Sequence, residues 1–260
     1  MKLGLVTYNL AKDWDVDKII EMCSKHGMEG VELRTTHAHG VEVTLNKKQR
    51  AEVRKKFEGS SVALAGLGSA FEYHSPDPAE LRRNIDGTKE YVRLAVDVGA
   101  PGVKVRPNGL AVDKGVDEET TLRQIGESLA ECGEDAASLS IQIRLEVHGH
   151  DTCLPRRIRK IMDHADHPNV YVCWNSNGPD VENGSIKKNF KLLGERIALV
   201  HMRDLCVPDY PWLELLQLLR AQNYEGFCLG ELPESQEPER IMDYSRALWD
   251  AYHRILDMGG

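Results

Sequence analysis

The 260-residue chain has no basic excess: 33 Lys and Arg stand against 41 Asp and Glu, a formal net charge of −8. That balance repels a phosphate backbone, so nucleic acid is a poor partner. No apolar run reaches the roughly 18 residues needed to cross a bilayer. The opening segment Met1 to Leu10 is too short and too polar for a secretory signal, and a cytoplasmic protein without membrane association is expected. The six cysteines, Cys23, Cys132, Cys153, Cys173, Cys206 and Cys228, form no CxxC pair and lie in apolar surroundings, which favours buried thiols over disulfides or thiolate zinc sites. Neither GxGxxG nor GxxxxGKS/T follows the first strand, so the common nucleotide-binding turns are missing. No Pro/Ser-rich linker or break in composition divides the chain, and one domain over residues 1–260 is the economical expectation.

What is present is a regular alternation. Short apolar stretches rich in Val, Ile and Leu recur at residues 2–7, 30–34, 61–67, 102–106, 142–147, 170–174, 198–203 and 227–231, each long enough for one strand. Between them lie amphipathic patterns at residues 16–26, 45–57, 79–98, 118–138, 154–164, 185–193, 211–222 and 239–256. Asp15 is placed to cap the first helix, Pro78 and Pro238 to start others, and Gly27 and Gly99 to end them. Eight βα units in one chain of this length predict a closed (β/α)8 TIM barrel rather than an open doubly wound sheet.

In such barrels reacting groups gather at the C-terminal ends of the strands. Strand two ends in Glu32 and Arg34, strand four in Lys104 and Arg106, and strand five in Glu146 and His148. Strand six runs Trp174-Asn175-Ser176-Asn177, strand seven carries His201 and Arg203, and strand eight ends at Glu231. Side chains two apart on a strand share a face, so Glu146 with His148, Lys104 with Arg106, Asn175 with Asn177, and His201 with Arg203 converge on one mouth. Two inward carboxylates, Glu146 and Glu231, would repel each other without a cation between them. Glu146, Asn175, His201 and Glu231 supply two carboxylates, an amide oxygen and an imidazole. That donor set suits manganese, magnesium or cobalt at least as well as zinc. Glu32, Lys104 and Arg106 have two open readings, substrate contact or an ion-pair layer inside the barrel. His37, His39, His74 and His150 fall in loops and read as solvated. Trp174 reads as packing that also walls the pocket.

The segments LEVHGH at Glu146, WNSN at Asn175, HMRD at His201 and GELP at Glu231, in this order at the ends of strands five to eight, resemble the xylose-isomerase-like barrels, the superfamily of sugar phosphate isomerases and epimerases. The resemblance runs over nearly the whole chain, from the opening MKLGLVTY. It implies a metal held by Glu146, Asn175, His201 and Glu231, with the two glutamates doubling as proton-transfer groups. Asn175 stands where the family usually has Asp, which removes one negative charge and should weaken a divalent ion. Asn177 is the nearest counterpart of a His or Asn that usually follows.

The chemistry so implied is isomerisation or epimerisation of a sugar or related hydroxy-ketone: removal of a proton beside a carbonyl, passage through an enediolate, and return of a proton elsewhere. His148, Arg203, Asn177, Lys104, Arg106 and Glu32 are the candidate substrate contacts. A dehydratase of a keto-polyol using the same pocket, and a sugar-binding barrel without turnover, are the alternatives. The loops after strands seven and eight are acidic and lack a Gly-rich phosphate cradle, which favours an unphosphorylated polyol-ketone or a small hydroxy-keto acid. A homo-oligomer is the general expectation.

Overall fold

A computed structural model describes residues 1–258. Eight strands, β1 (Lys2–Val6), β2 (Gly30–Arg34), β3 (Ala63–Glu72), β4 (Gly102–Arg106), β5 (Gln142–Glu146), β6 (Val170–Asn175), β7 (Ile197–Met202) and β8 (Phe227–Gly230), pair in sequence order as one closed parallel barrel. The ring closes where Lys2 to Leu5 of β1 run beside Phe227 to Gly230 of β8. Helices α1 (Val16–Lys25), α2 (Lys47–Glu58), α3 (Pro78–Val98), α4 (Glu118–Ala137), α5 (Pro155–Ala165), α6 (Lys187–Leu193), α7 (Trp212–Ala221) and α8 (Pro238–Met258) alternate with the strands. This is the (β/α)8 TIM barrel that the alternation predicts.

The local signals act where the sequence puts them. Asp15 accepts a hydrogen bond from the Lys18 backbone N–H at 2.8 Å and starts α1. Asn46 and Gln49 form a reciprocal capping box that starts α2 two residues later than its apolar pattern suggests. Pro78 opens α3, and Gly99 closes it in the left-handed conformation that a side chain would strain. The apolar faces of the helices and the outward faces of the strands form one continuous buried shell, including Ile19, Leu94, Leu122, Ile158 and Leu215.

The barrel interior is a second, smaller set: Val6, Ala65, Cys173, Leu199 and Leu229 pack against one another. Cys173, Leu199 and Leu229 each precede by two residues a polar group at the mouth, Asn175, His201 and Glu231 respectively. The strand period of two therefore stacks a polar layer directly on an apolar floor. Of the six cysteines, all free, Cys23, Cys132, Cys173 and Cys228 are buried, whereas Cys153 is half-buried and Cys206 exposed. The expectation of buried thiols therefore fails for the last two, which lie in loops rather than in strands or helix faces. No helix among the described residues is long and apolar enough to cross a membrane.

Candidate active site

All ten candidate residues line one cavity of about 220 Å³ at the C-terminal mouth: Glu32, Lys104, Arg106, Glu146, His148, Asn175, Asn177, His201, Arg203 and Glu231. Val6, Tyr8, Arg34 and Ser176 complete the wall. Arg34 is a residue that sequence reasoning passed over, although the signal was available. It follows Glu32 by two on the same strand, the same spacing that pairs Glu146 with His148.

At the centre stands His201, 1% exposed. Its Nδ1 lies 3.4 Å from Glu146 Oε1 and 3.6 Å from Glu231 Oε1, and its Nε2 lies 3.3 Å from Glu32 Oε1. Neither ring nitrogen has a hydrogen-bond partner, nor has either Glu32 oxygen. Buried polar atoms without partners are uncommon and call for an account. Ligand atoms of Glu146, His201 and Glu231 all lie within 4.8 Å of one another. Donors around one ion with bonds of about 2.1 Å stand roughly 3 to 3.5 Å apart, so this spacing and the unpartnered Nδ1 fit a divalent metal. The three groups form a candidate metal site.

The fourth expected donor is differently engaged. Asn175 Nδ2 donates to Glu146 Oε1 at 3.2 Å, so the amide faces the same centre through its nitrogen in this arrangement. Lys104 occupies the other carboxylate oxygen, its Nζ donating to Glu146 Oε2 at 2.7 Å, with both side chains buried. The ion-pair reading of Lys104 thus describes its contact. Arg106 makes an ion pair too, but at the rim, with Nη2 2.6 Å from Glu72 Oε1.

Charge environment separates the two glutamates. Burial alone would raise Glu146, but the Lys104 ammonium, aided by His201, holds it well below the ordinary carboxylate range. Glu231 is pushed up, first by burial and then by repulsion from Glu146 and Glu32, against the pull of His201 and Lys104. Burial works against charge on His201 as well, yet Cys173, Glu32 and Glu146 raise it well above its ordinary value. Lys104 is raised against its own burial by Glu146 and Glu32, so it keeps its proton.

The remaining candidates form the wall. His148 Nδ1 is 3.0 Å from Asn108 Oδ1, and the residue lines the cavity. Arg203 Nε donates to the Ser176 carbonyl at 2.9 Å, and its Nη atoms reach Asp209 at 3.1 and 3.2 Å. Asn177 is held by its own amide, which donates to the Val147 and Asn175 carbonyls at 2.6 and 3.1 Å.

Three sequence expectations nearby are corrected. Trp174 is fully buried but points away from the cavity, because Asn175 takes the inward position, and its Nε1 donates to Tyr210 Oη at 3.0 Å. His39 is not solvated. It is buried between the Arg34 carbonyl, 2.7 Å from its Nε2, and the Val41 N–H, which donates to its Nδ1 at 3.0 Å. His37 meets Thr7 Oγ1 at 3.1 Å and is pushed down to about 4, by burial first and then by Arg34.

The xylose isomerase-like TIM barrel family model matches residues 20–252, and the chain belongs to that family. No curated protein sequence matches it significantly. Among solved structures, it resembles D-psicose 3-epimerase from Clostridium cellulolyticum H10, solved with D-tagatose, with a TM-score of 0.81 and 17% identity over 98% of this chain and 99% of the other. It also resembles the 3-keto-D-glucoside 4-epimerase YcjR from E. coli, with a TM-score of 0.79 and 14% identity over 98% and 99%. A third likeness is to the IolI protein with a zinc atom, with a TM-score of 0.76 and 17% identity over 97% and 96%. At these identities the likeness establishes the fold.

Proposed function

We propose that this protein is a divalent-metal-dependent isomerase or epimerase acting on a sugar or related hydroxy-ketone. One observation carries the reading: Glu146 and Glu231, contributed by strand ends far apart in the chain, meet with His201 within 4.8 Å at the open mouth of the barrel. The two 3-epimerase and 4-epimerase structures of the same fold support it, as does the zinc atom in the IolI structure. Glu146, His201 and Glu231 would hold the ion, with Asn175 as fourth ligand after its amide turns to present oxygen. The oxygen-rich set suits manganese, magnesium or cobalt, with zinc also compatible. When bound, a divalent ion draws charge from a carbonyl oxygen and so acidifies the neighbouring C–H.

Glu231 is the group best suited to take that proton, because its side chain, 22% exposed, is the carboxylate of the pair that reaches the cavity surface. Glu146 stays ionised beside the Lys104 ammonium at 2.7 Å, so the proton that Glu231 takes is the one available for return to the enediolate. His148, Arg203 and Asn177, which line the cavity, would contact the substrate hydroxyls. The site's charge is balanced by burying Lys104 beside Glu146 rather than by spreading basic residues over the surface, which agrees with a small-molecule substrate.

The test is solvent deuterium incorporation into a panel of ketoses, with manganese and with chelator. Wild type should exchange a carbon-bound proton, and Glu231→Gln should slow exchange by roughly 10²- to 10⁴-fold. Exchange as fast in Glu231→Gln as in wild type would overturn the assignment. Release of water with a new carbonyl product would identify a dehydratase instead.

A further inference from the structure

Three arginines reach the cavity rim: Arg34, Arg106 and Arg203. Two are already matched to carboxylates, Arg106 by Glu72 at 2.6 Å and Arg203 by Asp209 at 3.1 Å. Arg34 is not. Among the described residues no carboxylate lies within ion-pair distance of it, and its side chain makes one long hydrogen bond, Nη1 to the Thr35 carbonyl at 3.4 Å. Its guanidinium instead lies over the ring of Tyr8, 5.2 Å from the centroid. Tyr8 is 40% exposed and lines the same cavity. Stacking on an aromatic face holds the guanidinium plane in place while leaving its N–H edge free.

The position of this unspent charge matters. Arg34 follows Glu32 by two residues on β2, so its backbone stands about 7 Å further out along the strand than that of the buried glutamate beside His201. A polyol chain with its carbonyl at the glutamates spans about that distance toward the rim. Deeper in the mouth Lys104 is committed to Glu146 at 2.7 Å, so Arg34 at the rim is a cation still open to an anionic group.

We infer that Arg34, stacked on Tyr8, receives the carboxylate of the substrate, so that the substrate class is an anionic keto-polyol, a sugar acid, rather than a neutral ketose. The inference rests on the reading of this cavity as a hydroxy-ketone site, and it names the end of the substrate remote from the chemistry. The guanidinium edge can pair a carboxylate or a phosphate in two parallel hydrogen bonds. Carboxylate is favoured because the loops after β7 and β8, where barrels frequently cradle phosphate, carry no glycine-rich turn.

The test uses three unreactive ligands that share one carbon chain, D-gluconate, D-glucitol and D-glucitol 6-phosphate, and reads binding by calorimetry. Wild type should bind gluconate about 10- to 100-fold more tightly than glucitol, the range of one charge-assisted contact. Arg34→Met should abolish that preference, and Arg34→Lys should keep part of it. Equal affinities in wild type, or a preference that survives in Arg34→Met, would overturn the inference. Tighter binding of glucitol 6-phosphate than of gluconate would overturn the choice of carboxylate. None of these ligands has a carbonyl to react. Failure of deuterium exchange with every ketose and keto acid would therefore remove the catalytic reading while leaving an Arg34-dependent gluconate preference intact.

Discussion

Glu32 Oε1 lies 3.3 Å from His201 Nε2, both side chains are 1% exposed, and neither atom has a hydrogen-bond partner. The carboxylate so placed attracts a proton to Nε2 and turns Nδ1 toward Glu146 and Glu231. A carboxylate behind a ligating imidazole fixes its orientation and raises its basicity. Glu32 is thus a positioning residue in the proposed metal site, not one of its ligands. Glu32→Gln, which keeps the shape and removes the charge, should weaken manganese or zinc binding by roughly 10- to 100-fold in calorimetry. Unchanged affinity would show that His201 needs no such partner.

Room for that carboxylate is made by β3. A Cβ added at Gly68 would lie 2.5 Å from Glu32 Oε1 and 3.4 Å from the Arg34 Cα, so alanine there must displace a buried carboxylate or a backbone. Gly68→Ala should cost about 1 to 3 kcal/mol in urea unfolding and should weaken metal binding as Glu32→Gln does. A variant with wild-type stability and wild-type metal affinity would mean that Glu32 moves aside freely.

These glycines also explain what the sequence hid. The barrel, its eight strands and the inward set at their ends follow from periodicity alone, because alternation is a local signal. β3, however, runs to Glu72, five residues beyond its apolar stretch, since Gly66 and Gly68 lower its strand character while serving Glu32. Lys104 and Glu146 are 42 residues apart, and nothing local announces their 2.7 Å contact. Arg34 lay in plain view, but its value depends on Glu72 and Asp209 having claimed the other two arginines, which only the packed barrel reveals.

The Lys104 ammonium sits where it competes with a divalent ion for Glu146. Replacing it with the uncharged Lys104→Met leaves Glu146 buried without its counter-charge, a change that typically costs 3 to 5 kcal/mol. A metal can supply that charge. Lys104→Met should therefore melt lower than wild type without metal and gain more from added manganese than wild type does. In contrast, Asn175→Asp restores a carboxylate and should tighten metal binding directly. A Lys104→Met protein indifferent to manganese would rule out a shared role for the ammonium and the ion.

The last prediction concerns Asp180, behind the cavity wall. It is fully buried, its Oδ2 accepts from the Asn177 N–H at 2.8 Å and from Tyr210 Oη at 3.1 Å, and its Oδ1 has no partner. Burial raises its carboxyl to about 7, against the opposing pull of those donors and of Arg203. The folded protein therefore holds a proton between roughly pH 4 and pH 7 that the unfolded chain, with an ordinary Asp, has released. Stability from this group is complete below about pH 4 and is lost as pH rises toward 7, with a slope of at most about 1.4 kcal/mol per pH unit. His37, pushed down to about 4, has the opposite sign over much of the same range, because there the unfolded chain gains the proton. The wild-type curve alone mixes the two, so the informative quantity is its difference from Asp180→Asn, which keeps the shape and cannot ionise. That difference should shift against wild type as pH rises from 4 to 7 and flatten above it. A difference independent of pH would mean that Asp180 is already ionised throughout, with its Oδ1 solvated.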